Sequence, residues 1–303
     1  MALVGPTASG KSALALALAR RRPEAELVSV DSMCVYRGMD IGTAKPGPAE
    51  RAEVRYHLLD LVDPAEEFTV RRFQAAAAEA VADIEHRGRR ALLVGGTGLY
   101  LRAVVDRLEV PGRWPELSAA LEAEAAEPGG TARLYERLLS IDPVAAARTT
   151  PANGRRVVRA LEVTLGSGRP FSSFGPGLET YPPSPFLLVG VCPDRAVLDA
   201  AIERRFRGLM DRGLLDEVRG LAARPGGLSR TARQALGYRE LLSHLEDGVP
   251  LEEAVDAALR RTRAFARRQW AWFRRDPRIR WLDPGGDLPA QLVGMWDGRQ
   301  VGD

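Results

Sequence analysis

Near the N-terminus a short apolar run, Ala2-Leu3-Val4, leads directly into Gly5-Pro6-Thr7-Ala8-Ser9-Gly10-Lys11-Ser12. The helix-forming stretch Ala13 to Arg22 follows. The middle segment fits G-x-x-x-x-G-K-[ST], and the order strand, loop, helix supplies the context that pattern requires. Few folds accommodate it. The glycines let successive backbone N–H groups converge on one point, and the helix N-terminus adds partial positive charge there. Lys11 can reach over bound oxygens, and the Ser12 hydroxyl can ligate magnesium. Gly5, Pro6, Thr7, Ala8, Ser9, Gly10, Lys11 and Ser12 are therefore expected to cradle phosphates, with Mg2+ as cofactor and Ser12 as its protein ligand.

Downstream, Glu26 to Val30 reads as a second strand that delivers Asp31-Ser32 at its carboxyl end, where open α/β sheets bind their ligands. Val35 to Pro46 is a Gly- and Pro-punctuated loop of the length that is commonly functional. His57 to Val62 is expected as another strand, Phe68 to Arg87 as an Ala-rich helix, and Arg90 to Val94 as a strand. That last strand runs into a second glycine turn, Gly95-Gly96-Thr97-Gly98-Leu99-Tyr100. Past Pro111 the pattern turns helical: Pro115 to Ala126, Thr131 to Ser140 and Asn153 to Leu165. The apolar run Phe186 to Val191 then suits a strand buried on both faces. Helices are expected over Arg195 to Arg212, Leu214 to Ala223, Thr231 to Glu246 and Leu251 to Arg275, before a short apolar piece at Ile279 to Leu282. The fold class is α/β: a P-loop-type parallel sheet flanked by helices, with an inserted all-helical subdomain. Residues 1–111 form the first part of the core, 112–180 the insertion, and 181–303 complete the core with basic C-terminal helices.

A chain of 303 residues suffices for two such units. Its formal net charge is only +3, so a polyanionic partner must meet a local patch. Of 43 basic residues, 41 are arginine; the two lysines, Lys11 and Lys45, both fall in motif-like stretches. Two cysteines, Cys34 and Cys192, form no disulfide framework, which fits a reducing cytoplasm. No run approaches the ~18 apolar residues of a membrane span. Between Arg260 and Arg280, nine arginines face a single acid, Asp276, a local charge of about +8. Phe265, Trp270, Trp272, Phe273 and Trp281 are threaded through them. Arginine for phosphates with interleaved aromatics suits RNA, although a solvated basic helix with inward tryptophans gives the same pattern.

The strand Arg90 to Val94 ends in Gly-Gly-Thr, without the carboxylate that completes the magnesium site of many ATPases. Asp31 is better placed to take a proton from an incoming nucleophile. GPTASGKS, SVDSMCVYRGMDIGTAKP (Ser29 to Pro46), LLVGGTGLY (Leu92 to Tyr100), NGRRVVRALEV (Asn153 to Val163), ALGYRE (Ala235 to Glu240) and TRAFARRQWAWFRR (Thr262 to Arg275) occur in this order. Together they resemble the tRNA dimethylallyltransferases, also called tRNA isopentenyltransferases, of the bacterial type.

The resemblance implies transfer of a dimethylallyl group from dimethylallyl diphosphate to the N6 amine of an adenosine. That adenosine would lie on the 3′ side of the anticodon, in tRNAs reading codons that begin with U. Asp31 would accept the proton, Lys11 and Arg205 would neutralise the leaving diphosphate, and Thr97 would line the channel where the substrates meet. Carried over as tRNA contacts are Asp31, Ser32, Met33, Cys34, Thr97, Ser118, Arg155, Arg156, Val157, Val158, Arg159 and Gln269. Arg267 and Arg268 join them from the basic helix. Cys34 stands where many members have glutamine, Phe265 where tyrosine is common, and Ser118 near a position often occupied by arginine. Expected partners are the tRNA anticodon stem-loop and dimethylallyl diphosphate, with no membrane, for a monomer. Three other functions share parts of this pattern: a P-loop small-molecule kinase, an isopentenyltransferase acting on a free adenine nucleotide, and a non-catalytic RNA-binding P-loop protein. The basic surface argues for RNA against the first two, and a base at the mouth of the loop argues for catalysis against the third.

Overall fold

The structure, a computed structural model, describes residues 1–175 and 177–298. Among the described residues, Met1–Val105 and residues 183–298 form one compact unit, and residues 106–182 form another. The first unit begins β1 (Ala2–Val4), α1 (Lys11–Arg21), β2 (Ala25–Val30), α2 (Pro48–Glu53), β3 (Tyr56–His57), α3 (Val70–His86), β4 (Arg90–Gly95) and α4 (Gly98–Val105). The second unit holds α5 (Pro115–Ala126), α6 (Gly130–Ile141), α7 (Pro143–Ala147) and α8 (Gly154–Ser167). The chain then returns through β5 (Leu188–Gly190), α9 (Arg195–Asp211), α10 (Leu214–Ala222), α11 (Tyr238–Asp247), α12 (Leu251–Phe273), β6 (Arg280–Trp281) and α13 (Leu288–Trp296).

The six strands make a single sheet in the order β3-β2-β4-β1-β5-β6, and every neighbouring pair is parallel. Its strands are apolar on both faces because helices cover both. Ala2, Val4, Val28, Val30, Ala91 and Leu93 point into one cluster with residues of α3, α4 and α9 to α12. Leu3, Ala25, Leu27, Leu92 and Val189 point into the other, where α1 contributes Leu14 and Leu18, and α13 contributes Leu292 and Trp296. β1, entirely buried, lies between β4 and β5, so the loop after it opens at the centre of the sheet edge. The α5–α8 unit has its own core of Leu121, Leu134, Leu138, Ala145, Ala146, Val157, Val158, Ala160 and Leu161.

Several elements differ from the sequence expectation. The strand expected over 57–62 stops at His57, since Leu58 (φ 65°) and Asp60 (φ 57°) enter the left-handed region and turn the chain. The helix expected over 231–246 is broken: a 3-10 turn at Ala232–Gln234 precedes Gly237 (φ 86°), and α11 starts only at Tyr238. Four helices, α2, α4, α7 and α13, were not anticipated. α4 is buried from Tyr100 to Val105, so it carries no amphipathic period to read.

Candidate active site

α1 starts at Lys11, with Gly10 (φ 86°) as its N-cap. That left-handed backbone strains any residue with a Cβ, which explains the glycine. Ala8 adopts φ 62° without that excuse. Such a residue stores strain on the order of 1–3 kcal/mol, and residues of this kind cluster where a loop must keep one ligand-binding shape. The Ser9 hydroxyl is buried with no hydrogen-bond partner, while Ser12 is open to solvent. The loop from Ala8 to Ala13 bounds a cleft of about 240 Å3, closed on its far side by Ala201 and Arg205 of α9.

Two cations face this cleft. Lys11 Nζ donates to the Pro6 carbonyl at 3.0 Å. Enclosure of the ammonium pushes its pKa down to about 8, with help from the Arg205 charge and against the pull of Asp31. Arg205 donates from Nη1 to Thr7 Oγ1 at 3.5 Å. Burial lowers its pKa as well, and Asp31 is again the chief opposing charge. The carboxylate of Asp31 thus lies within electrostatic reach of both cations.

Asp31 follows β2 directly. Its Oδ1 accepts the Met33 N–H at 2.8 Å, and its other oxygen takes no hydrogen bond among the described residues. Thr97, just beyond β4, accepts the Ser32 N–H at Oγ1 over 3.4 Å, which joins two adjacent strand ends. Cys34 is buried, and burial together with the Asp31 charge pushes its thiol up to about 12. It is neutral at physiological pH and no nucleophile.

The loop after Asp31 is fastened twice. Lys45 donates to the Tyr36 carbonyl (2.5 Å), Asp40 (2.8 Å) and Asp60 (2.6 Å). Glu217 of α10 accepts the N–H groups of Asp40, Ile41 and Gly42 at 2.9, 2.7 and 3.1 Å, and the Tyr238 hydroxyl at 2.6 Å. Lys45 stood out as one of two lysines; Glu217 carried no signal in the sequence, because the backbone groups it receives are 175 to 177 residues away.

The first unit therefore gathers Gly5 to Ser12, Asp31 to Cys34, Thr97, Arg205 and Gln269 at one edge of the sheet. Gln269, expected at an RNA surface, is buried: its Oε1 accepts the Thr7 N–H and its Nε2 donates to the Gly96 carbonyl, both at 2.8 Å. Arg267 and Arg268 on the opposite face of α12 are exposed and form no ion pair among the described residues; Arg268 lies over the Phe265 ring at 5.8 Å. Arg261, Arg263 and Arg278 are instead engaged by Glu240, Glu203 and Asp276.

In the second unit, Asn153 caps α8 by accepting the Arg156 N–H at 3.3 Å, and Arg155 and Arg156 project from its exposed first turn. Val157 and Val158 do not: they are 0% and 5% exposed and belong to the unit's core. Their expected contact with RNA is corrected on that ground. Arg159 is occupied by Glu162 (2.8 Å) and the carbonyls of Pro111 and Gly112 (3.1 and 2.9 Å). Ser118 lies half-buried in the first turn of α5.

A parallel sheet with a glycine-rich strand-loop-helix turn at its centre and helices on both faces places the chain in the P-loop-like α/β class. The family model for IPP transferase matches residues 34–276, and the chain belongs to that family. It is 49% identical over 300 residues to a tRNA dimethylallyltransferase of Kineococcus radiotolerans, covering 97% of this chain and 93% of that protein. It is 50% identical over 287 residues to that of Salinispora tropica, covering 94% and 88%. Among solved structures it resembles the full-length tRNA isopentenylpyrophosphate transferase of Bacillus halodurans, with a TM-score of 0.70 at 37% identity, covering 98% and 95%. It also resembles a eukaryotic dimethylallyltransferase acting on tRNA, with a TM-score of 0.80 at 25% identity, covering 100% and 80%. No helix among the described residues is long and apolar enough to cross a membrane.

Proposed function

We propose that the chain transfers a dimethylallyl group from dimethylallyl diphosphate to the N6 amine of the adenosine 3′-adjacent to the anticodon of tRNA. Membership of the IPP transferase family supports the reaction. The observation that carries the assignment of roles is the unbonded carboxylate oxygen of Asp31, within the field of Lys11 and Arg205. The diphosphate binds in the loop Gly5 to Ser12, where the buried, unpartnered Ser9 hydroxyl gains an acceptor. As the bond from the allylic carbon to the diphosphate oxygen breaks, negative charge grows on the leaving group, and Lys11 and Arg205 offset it. The adenosine amine forms the new C–N bond, and Asp31 accepts its proton. Thr97 lines the passage between the two substrates.

No group of three or more His, Cys, Asp or Glu among the described residues is placed to hold a metal. The exposed Ser12 hydroxyl on the cradle rim would hold a Mg2+ there, and the ion would supply further charge neutralisation on the leaving group. For the RNA, Arg155 and Arg156 of the helical unit and Arg267 and Arg268 of α12 offer exposed guanidinium groups for backbone phosphates. Asp31 to Met33, none of them buried, bear on the extruded base, and Cys34 lies beneath them. The chain acts as a monomer in the cytoplasm, on tRNAs reading codons that begin with U.

Incubation with labelled dimethylallyl diphosphate and either tRNA or AMP tests this reading. Label is expected in tRNA alone. Label in AMP would assign the chain to free-nucleotide prenylation, and no transfer to either would reject it.

A further inference from the structure

α12 presents two different surfaces over three consecutive residues. Arg267 and Arg268 face solvent, whereas Gln269 turns inward and is 7% exposed. Its carboxamide spans two loops that are otherwise far apart in sequence. One end accepts from the Thr7 N–H inside the phosphate cradle, and the other donates to the Gly96 carbonyl in the second glycine turn, each at 2.8 Å. The fit is close: a Cβ on Gly96 would stand 2.4 Å from Gln269 Nε2. The carboxamide, with an acceptor and a donor on one planar group, satisfies both backbone partners, which are of opposite kind. Thr7 has a second tie, its Oγ1 accepting from Arg205. The helix carrying Arg205 is itself linked to α12 by the Arg263–Glu203 pair, N to O 3.0 Å.

We infer that Gln269 is a positioning residue for the diphosphate cradle: by clamping the Thr7 amide to the Gly96 turn it fixes the shape in which the loop meets the diphosphate. It touches no reacting atom. The inference rests on the diphosphate-binding reading of the loop and assigns Gln269 away from the RNA. A cradle acts by having its N–H groups aimed before the anion arrives, so a residue that holds one of them should govern affinity for the anion and leave the acceptor's untouched.

The test is binding of inorganic diphosphate and, separately, of tRNA to the full chain and its Gln269→Met variant, with amide hydrogen exchange at Thr7. Methionine fills similar space and makes neither bond. Diphosphate affinity is expected to fall about tenfold, the loss of one or two hydrogen bonds to buried backbone groups. tRNA affinity should stay within about twofold, and Thr7 should lose protection while Leu3 and Leu93 in the sheet keep theirs. Should the methionine variant unfold, Gln269→Asn keeps a neutral carboxamide that is one methylene shorter and cannot reach both backbone groups at once. Weakened diphosphate binding with unchanged tRNA affinity is then expected. Unchanged diphosphate affinity in a folded variant overturns the inference, as does a loss confined to tRNA. If the unsubstituted chain binds no diphosphate, the assignment of the loop fails first, and that result is separate.

Discussion

At the residue scale the site is a balance of three charges. Lys11 is held near pKa 8 chiefly by burial, well below the ordinary 10.5. It is therefore charged at neutral pH and loses its proton as pH rises through about 8. The kcat/KM for dimethylallyl diphosphate should fall over that interval, and Lys11→Arg, which stays charged, should abolish that alkaline limb even if its rate is lower. A limb that persists in the arginine variant would assign it to another group. Asp31 has one oxygen committed to the Met33 amide and one open. Asp31→Ala should cut the transfer rate by about a hundredfold or more while tRNA affinity stays measurable. Near-normal turnover in single-turnover assays would remove it from the base role. The candidacy of Asp31 was legible in sequence from its place at a strand end. The inward turn of Gln269 was not: nothing in ARRQ says which of four consecutive helical residues faces the core.

At the scale of the elements, α12 is an outer basic ridge with an inner brace. Arg260, Arg267 and Arg274 are seven residues apart and all exposed, a spacing that returns to nearly the same face of a helix. Replacing Arg267 and Arg268 together by alanine should weaken tRNA binding and lower its dependence on log salt by about two, one unit per lost phosphate contact. An unaltered slope in a salt titration would place that ridge away from the RNA. β2 contributes a different device. Glu26 on this strand, scarcely exposed, receives Arg87 from the end of α3 and His57 Nε2 (2.7 Å) from β3. The Arg87 hydrogen bonds, with His57 second and burial opposing, hold its carboxyl down at about 2 against an ordinary 4.5. The folded pKa is depressed, so this stabilisation is full above about 4.5 and is lost as pH falls toward 2. Denaturant midpoints measured from pH 5 to 2 should drop more steeply for the native chain than for Glu26→Gln.

For the molecule as a whole, each of the two compact units has an apolar interior of its own, on both faces of the sheet in the first and among α5 to α8 in the second. On the proposed reading the sheet unit carries the phosphate chemistry. The α5–α8 unit, with Leu134 and Leu138 fully buried, offers Arg155 and Arg156 at an exposed helix start. Leu134→Ala should destabilise that unit by about 2–5 kcal/mol. It should weaken tRNA binding while leaving diphosphate affinity unchanged, which paired titrations with each ligand would reveal. Coupled losses of both ligands would contradict this division of labour.

Sequence alone determined the parallel α/β class, the glycine-rich loop Gly5 to Ser12 between a strand and a helix, the strand-end position of Asp31 and the helical character of the insertion. Each of these rests on local order: a strand before a loop, a helix after it, a period of 2 or 3.6 in the apolar positions. Only the tertiary structure decided which long-range partners complete the site. Glu217 under the loop after Asp31, Arg205 across the cleft, Gln269 between two glycine turns, and the burial of Val157 and Val158 all depend on packing between segments many residues apart. A pattern confined to neighbours along the chain contains no record of those distances.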